Sequence, residues 1–314
     1  MLEEYLWCER YRPKTIEETI LPTELKEIFQ GFVNDKNVPS LLLCGSSGVG
    51  KTTVARAMLE ELGADYIIKN GSLNTSMDVL RNEITTFASS VSFSGGRKYV
   101  IIDEADGLNA TVQPALRNFI EEYSANCGFI LTANFKNRII APLRSRCSVI
   151  DFKFPKKMTP ELAMQFYKRV TAILKENGVE FDKTTVAELI QKHFPDYRRV
   201  LNELQAYASR GSIDAGILAK QTDASIAELL SLMKAKNYSA VRKWVGENVD
   251  KDTDALLRTF YDQGASLFEP SFIPALVILI AKYQYQSAFA VDHEINISAF
   301  LAEVMIEVGS DWRK

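Results

Sequence analysis

The sequence predicts an α/β fold built on a five-stranded, mostly parallel sheet, followed by segments made of helices alone. Three observations carry this. Short runs rich in Ile, Val and Leu alternate with helical patterns up to about residue 154, a glycine-rich loop of fixed spacing follows the first run, and strand-like runs cease after Phe154-Pro155. Such alternation is βαβ grammar, in which parallel strands are covered by helices on both faces.

The elements follow in order. Residues 40–44, 66–68, 99–102, 129–131 and 149–152 are the expected strands, and the pattern over 54–62 is the helix that follows the glycine-rich loop. Val112, Ala115, Leu116, Phe119, Ile120 and Tyr123 recur at helical spacing, which puts Gln113, Arg117 and Glu121 on another face. Thr159-Pro160-Glu161 reads as an N-cap with proline at the first helical position. Beyond it Leu162, Phe166, Val170 and Leu174 form one stripe up to Gly178. Val186, Leu189 and Ile190 form a second, and Val200, Leu201, Leu204 and Ala208 a third, closed by Gly211. From about Ser225 the pattern remains helical, with breaks expected near Asn237, Gly246 to Asp254, Gly264 and Asp292. The expected domains are therefore residues 1–154, 155–224 and 225–314.

Composition narrows the class. A chain of 314 residues exceeds one typical core, and 46% hydrophobic with 25% charged residues argues against long disorder, collagen and coiled coil. The longest apolar run, 272–281, is interrupted by Pro274 and is far short of the ~20 residues that cross a bilayer, so it reads as a buried helix and no membrane partner is expected. The start of the chain, with Glu3, Glu4, Glu9, Arg10 and Arg12, lacks the basic and apolar regions of a secretory signal, so the expected location is the cytoplasm, that of the host were the chain viral. Cys8, Cys44, Cys127 and Cys147 are scattered, and His193 and His293 lie far from them, which reads as buried or half-buried thiols rather than a zinc site. A net charge of −3 gives no global sign of nucleic-acid binding. A local patch is available: residues 123–150 contain no acid but carry Lys136, Arg138, Arg144 and Arg146, a pattern that a merely solvated face would also produce.

The chemistry is concentrated in three places. Gly45-Ser46-Ser47-Gly48-Val49-Gly50-Lys51-Thr52 matches G-x-x-x-x-G-K-[ST] between a strand and a helix, where inward-turned backbone N–H groups cradle phosphates. Lys51 is expected to reach the β and γ phosphates of ATP, and the Thr52 hydroxyl to ligate magnesium. The run from Tyr99 delivers Asp103 and Glu104 at the carboxyl end of a buried strand, where ligands of open α/β sheets bind. Asp103 is expected to position magnesium, and Glu104 to orient and deprotonate the attacking water. Asn134 ends the next strand with an amide suited to sensing the γ-phosphate, although a strand-end Asn in a turn is also common.

Trp7 to Pro13 (Trp-Cys-Glu-Arg-Tyr-Arg-Pro), the loop Gly45 to Thr52, Asp103-Glu104-Ala105-Asp106 and Ser145-Arg146-Cys147, in that order, resemble the AAA+ clamp-loader ATPases of the replication factor C type. Asn70-Gly71-Ser72, Phe87-Ala88-Ser89-Ser90, Thr132-Ala133-Asn134 and Phe194-Pro195-Asp196-Tyr197-Arg198 look closer to the large-subunit branch of T-even-type bacteriophages.

The resemblance implies an AAA+ P-loop domain, a helical lid and an all-α collar. It implies ATP and magnesium as cofactors, and a ring or spiral of several copies with a small clamp-loader subunit that opens a sliding clamp and places it on primer-template DNA. It also implies that Arg146 enters a neighbour's ATP site as a trans-acting finger and that Arg198 is the lid arginine that contacts phosphates. Arg199 is explained by an i,i+4 pair with Glu203. Glu9, Arg10, Tyr11, Arg12 and Pro13, with Ile20 as an apolar base contact, would lie against adenine, and Gly45, Gly48, Val49, Gly50 and Thr53 complete the nucleotide set with Lys51 and Thr52. Asn70 would restrain Glu104, Gln113 would relay DNA contact to the carboxylates, and Arg81 would face template phosphates. Pro114 departs from the family pattern, since proline restricts its predecessor and removes a helical hydrogen bond, so a late start or kink is expected there. The loop 73–77 also lacks the charges usual in the family. Two other classes share parts of this pattern: a DNA motor such as a branch-migration helicase, and a scaffold subunit that binds nucleotide without turnover.

Overall fold

In the computed structural model, which describes residues 5–72, 77–92, 95–109, 112–155, 157–209, 211–213, 223–248, 253–287, 289–290, 292–309 and 312, the five apolar runs form one sheet. Its strands are β1 (Leu41–Cys44), β2 (Tyr66–Asn70), β3 (Lys98–Asp103), β4 (Cys127–Ala133) and β5 (Ser148–Asp151), ordered β2-β3-β4-β1-β5 with every pairing parallel. The three inner strands read as almost unbroken apolar runs because both of their faces are covered.

Alternate residues feed two cores. Leu42, Val100, Ile102, Phe129 and Leu131 pack with Ile84 of α4 (Met77–Ser89) and with Leu116, Phe119 and Ile120 of α5 (Val112–Glu122). Leu41, Leu43, Tyr99, Ile101 and Ile130 point the other way, onto Phe29 of α2 (Thr23–Asn34) and Val54, Met58 and Leu59 of α3 (Lys51–Leu62). This is the period of two that a strand imposes. A short helix, α1 (Trp7–Arg10), precedes them, and α6 (Ala141–Arg144) leads into β5.

Two details differ from the sequence reading. Helix α3 begins at Lys51 rather than Val54, because Gly50 at φ 93° serves as its N-cap and lets the loop turn directly into the helix. Gln113 is buried, 4% exposed, rather than on a separate face, and α5 runs through Pro114 without a late start. Proline is tolerated there because it falls in the first turn, where an N–H has no intrahelical partner to lose.

The segment after β5 carries α7 (Thr159–Glu176), α8 (Lys183–His193) and α9 (Tyr197–Ala208), with a two-residue parallel pair, β6 (Glu180–Phe181) and β7 (Ser212–Ile213). The stripes Leu162, Phe166, Val170, Leu174 and Val186, Leu189, Ile190 are buried as expected. In the third stripe Val200 and Leu204 are buried, joined by Tyr207. The N-cap of α7 is Met158, one residue before the expected Thr159, whose hydroxyl instead donates to the Pro155 carbonyl at 3.2 Å. These helices belong to the same compact unit as the sheet, Met1–Ile217.

A second unit, Leu218–Lys314, contains α10 (Asp223–Lys234), α11 (Tyr238–Asn248), α12 (Thr253–Leu267), α13 (Ile273–Ser287) and α14 (His293–Glu307) around Phe260, Phe268, Phe300 and Trp244. Helix α12 continues through Gly264, where a break was expected. Leu276 packs so close that an added Cβ would lie 3.0 Å from it, so this glycine serves helix packing rather than a turn. The run 272–281 is half buried: Phe272, Leu276, Leu279 and Ile280 face the core, while Ile278 is 69% exposed. No helix among the described residues is long and apolar enough to cross a membrane.

Candidate functional site

The carboxyl ends of β1, β3 and β4 open onto one cleft, roofed by α1, the segment leading to α2, and α7 with α9. Lys51 is the first residue of α3, 7% exposed, and its ammonium donates to the carbonyls of Gly45 and Ser46 and to Asn134 Oδ1, each at 2.8 Å. Burial lowers the Lys51 pKa, while the charges of Asp103 and Asp106 oppose that shift.

Asp103 Oδ1 accepts from two hydroxyls, Thr52 Oγ1 and Thr132 Oγ1, both at 2.6 Å. Thr132, 1% exposed, also accepts the Glu104 backbone N–H at 3.0 Å, so one buried hydroxyl ties the two carboxylate residues to β4. Glu104 itself stands at φ 53°, ψ 46°, a left-handed conformation unusual for a residue with a side chain. Gly71 backs this turn. Its N–H donates to the Asp103 carbonyl at 2.7 Å, and a Cβ at Gly71 would lie 2.7 Å from the Glu104 carbonyl oxygen, so only glycine fits without a shift. Asp106 lies next in the same turn, with Oδ2 accepting the Phe135 N–H at 3.0 Å and Oδ1 buried without a hydrogen-bond partner among the described residues.

The N-terminal box forms a further part of the wall. Arg12 donates to both Glu9 oxygens and, at 2.9 Å, to Thr53 Oγ1 on α3. Although burial pushes the Glu9 carboxyl up, the Arg12 hydrogen bond and the charges of Arg12 and Arg56 hold its pKa below the usual range. The lid closes over this wall through Tyr197, whose N–H donates to the Gly48 carbonyl at 3.1 Å and whose hydroxyl donates to the Ile20 carbonyl at 3.0 Å.

Of the residues singled out from sequence, Glu9, Tyr11, Arg12, Pro13, Ile20, Gly48, Val49, Gly50, Lys51, Thr52, Thr53, Asp103, Glu104, Asn134 and Arg198 line the cleft. Arg199 instead pairs with Glu203 at 3.1 Å. Gly45 contributes its carbonyl to Lys51 from behind the lining. Arg10 turns away, 3.5 Å from Glu176. Residues 8, 9, 11 and 12 line the cleft, and position 10 does not.

Four further residues are not brought to the cleft. The Asn70 side chain closes a local turn, its Oδ1 accepting the Ser72 N–H at 2.7 Å, and so is not on Glu104. Gln113 spans two loops: Nε2 donates to the carbonyls of Arg138 at 3.0 Å and Leu108 at 3.3 Å, and Oε1 accepts the Ile140 N–H at 2.9 Å. It thus bonds the main chain around the carboxylate turn rather than the carboxylates. Arg81 is exposed on α4, and the loop residues 73–76 lie outside the described residues. Arg146 forms an ion pair with Glu121 of α5 and donates to the Pro142 carbonyl at 2.7 Å.

Sequence reasoning gave no role to Thr132, Asp106 or Tyr197, which it quoted only within motifs, and did not single out Arg169. Thr132 carried one signal, a polar residue inside an apolar strand beside the flagged Asn134. Arg169 and Tyr197 act through partners far away in the chain.

The cleft can bind a polyanion at the α3 N-terminus beside a cation, hold hydroxyl and carboxylate oxygens in one place, and bring the Glu104 side chain to the same lining. Comparisons with known proteins agree with that chemistry. Residues 41–155 match the family model "ATPase family associated with various cellular activities (AAA)", and residues 159–219 match "Sliding-clamp-loader large subunit, AAA+ ATPase lid domain". The chain is 41% identical over 247 residues to the sliding-clamp-loader large subunit of Enterobacteria phage T4, covering 76% of this chain and 77% of that protein. It is 31% identical over 312 residues to the replication factor C small subunit of Archaeoglobus fulgidus, covering 95% and 96%. Among solved structures it resembles the Thermotoga maritima RuvB Holliday junction branch migration motor, with TM-score 0.51 and 19% identity over 75% of this chain and 85% of that one, a likeness of fold alone.

Proposed function

The chain belongs to the clamp-loader branch of the AAA ATPases, an ATP-hydrolysing subunit of DNA replication, and on that premise we propose how its residues divide the work. Residues 1–154 bind and hydrolyse ATP, 155–224 form the lid and 225–314 the oligomerising collar. The observation that carries this reading is the convergence of Lys51, Thr52, Asp103, Glu104, Asn134 and Arg198 on one cleft that Arg146 does not line.

Lys51 and the N–H groups at the start of α3 neutralise the β and γ phosphates, and Asn134, already bonded to Lys51, senses the terminal one. The Thr52 hydroxyl and Asp103 would hold magnesium: two oxygens meeting at 2.6 Å, with phosphates to complete the shell, suit a small hard cation. Magnesium supplies charge neutralisation on the phosphate oxygens. Glu104 takes the proton of the attacking water, Arg198 reports lid position to the phosphates, and Arg146 completes the cleft of a neighbouring copy.

The partners that follow are a sliding clamp, primer-template DNA, further copies of this chain and a small clamp-loader subunit. The test is the steady-state ATPase rate of the assembled protein with and without clamp and primer-template DNA. Joint stimulation by both is the expected outcome. Stimulation by DNA alone, together with duplex unwinding, would replace the loader with a motor.

A further inference from the structure

Two lid arginines line the cleft, Arg198 on α9 and Arg169 on α7. They are used differently. Arg169 NH1 donates to the Glu18 carbonyl at 3.0 Å and NH2 to the Tyr11 carbonyl at 2.9 Å, so one guanidinium spans the two ends of residues 11–18. No carboxylate lies within ion-pair distance of Arg169 among the described residues, and desolvation by burial lowers its pKa against the pull of Glu18. A half-buried cation spent on two main-chain oxygens fixes the course of that segment.

The same helix holds the segment again at its far end. Tyr11 OH donates to Glu176 Oε1 at 3.0 Å and accepts from Asn177 Nδ2 at 2.7 Å. Tyr11, Pro13 and Ile20 in turn line the same cleft as Lys51 and Asp103, and among the described residues none of the three is hydrogen-bonded to either. We propose that Arg169 is a positioning residue for the base: it holds the 11–18 segment against the nucleobase and so ties base affinity, as distinct from phosphate affinity, to lid position. This deepens the ATP-site reading and rests on it. The planar fork is essential, since a lysine ammonium is a point charge and does not match two carbonyls in the same way.

The test measures binding of ATP and of inorganic tripolyphosphate, which has no base, by calorimetry on the full chain carrying Arg169→Ala, Arg169→Lys or Arg198→Ala. Circular dichroism monitors the fold, and Arg169→Lys retains charge and stem if the alanine variant is unstable. Both Arg169 variants are expected to weaken ATP about tenfold, as loss of charge-assisted hydrogen bonds typically does, while tripolyphosphate binding stays at the wild-type level. Arg198→Ala is expected to weaken both ligands. Equal loss of both ligands in the Arg169 variants would make Arg169 a general structural residue, and loss of neither would remove any role; either result overturns the proposal. Failure of the wild-type chain to bind ATP would instead sink the nucleotide-site reading itself.

Discussion

The floor of the cleft and the Arg146 corner are built in opposite ways. On the floor, buried Lys51 and Thr132 hold half-buried Asp103 and Asn134 in a set of short bonds within one chain. Arg146 stands at the surface, its side chain 30% exposed and its Glu121 partner 49% exposed. An exposed pair of this kind contributes only about 0 to 1 kcal/mol, so exchanging Glu121 for another anion costs little. The segment that carries Arg146 is anchored by Leu143, which is fully buried in the core below the sheet. On the proposed reading, the contrast teaches that one half of the chemistry is preorganised within a chain, while the other is a surface group whose present partner is easily exchanged.

The sharpest way to break this division is Arg146→Ala. In assembled rings the expected loss is about 10³-fold or more in hydrolysis, with ATP affinity of the isolated chain little changed. Mixing that variant with Lys51→Ala subunits should restore turnover at junctions where an intact Lys51 site meets an intact Arg146. Activity that instead follows each subunit's own Arg146 would join the two halves into one site. Glu104→Gln probes the floor and comes next, with an expected loss of about 10²- to 10⁴-fold in turnover while ATP binding persists. Near-normal steady-state hydrolysis would remove Glu104 as the base.

Legibility followed the range of the interactions. The loop Gly45 to Thr52 and the strand ending in Asp103-Glu104 are local patterns, and backbone hydrogen bonding alone brings their strands together, so most of the floor could be named from spacing. Arg169 could not. Its carbonyl partners lie 151 and 158 residues away, and its position on α7 has the same local pattern as any helix-borne cation. Gln113 misled because a polar residue off the apolar stripe normally faces water, whereas here three main-chain groups satisfy its amide inside the protein. Gly264 misled for a related reason: glycine signals a turn locally, and only the approach of Leu276 reveals that it serves close packing. The left-handed backbone of Glu104 likewise has no signature in a run of apolar residues ending in acids.

The smallest expected effect asks whether the floor acts as one unit. Among the described residues no hydrogen bond joins the Asp106 side chain to another named site residue, but its Oδ2 holds the N–H of Phe135, the residue after Asn134. Asp106→Ala strands that N–H and releases the turn that aims Asn134 at Lys51, for which about a tenfold fall in kcat is expected, with ATP affinity largely kept. Asp106→Asn keeps an acceptor for the N–H and should retain most of the rate. The decisive measurement is the double variant. If Asp106 works through Asn134, then Asp106→Ala should cost nothing further once Asn134→Ala has been made, because residues in one network couple while independent ones add. Full additivity would show that Asp106 acts elsewhere, with its buried and unpartnered Oδ1 the place to look, and the floor would then be two devices that share a strand end.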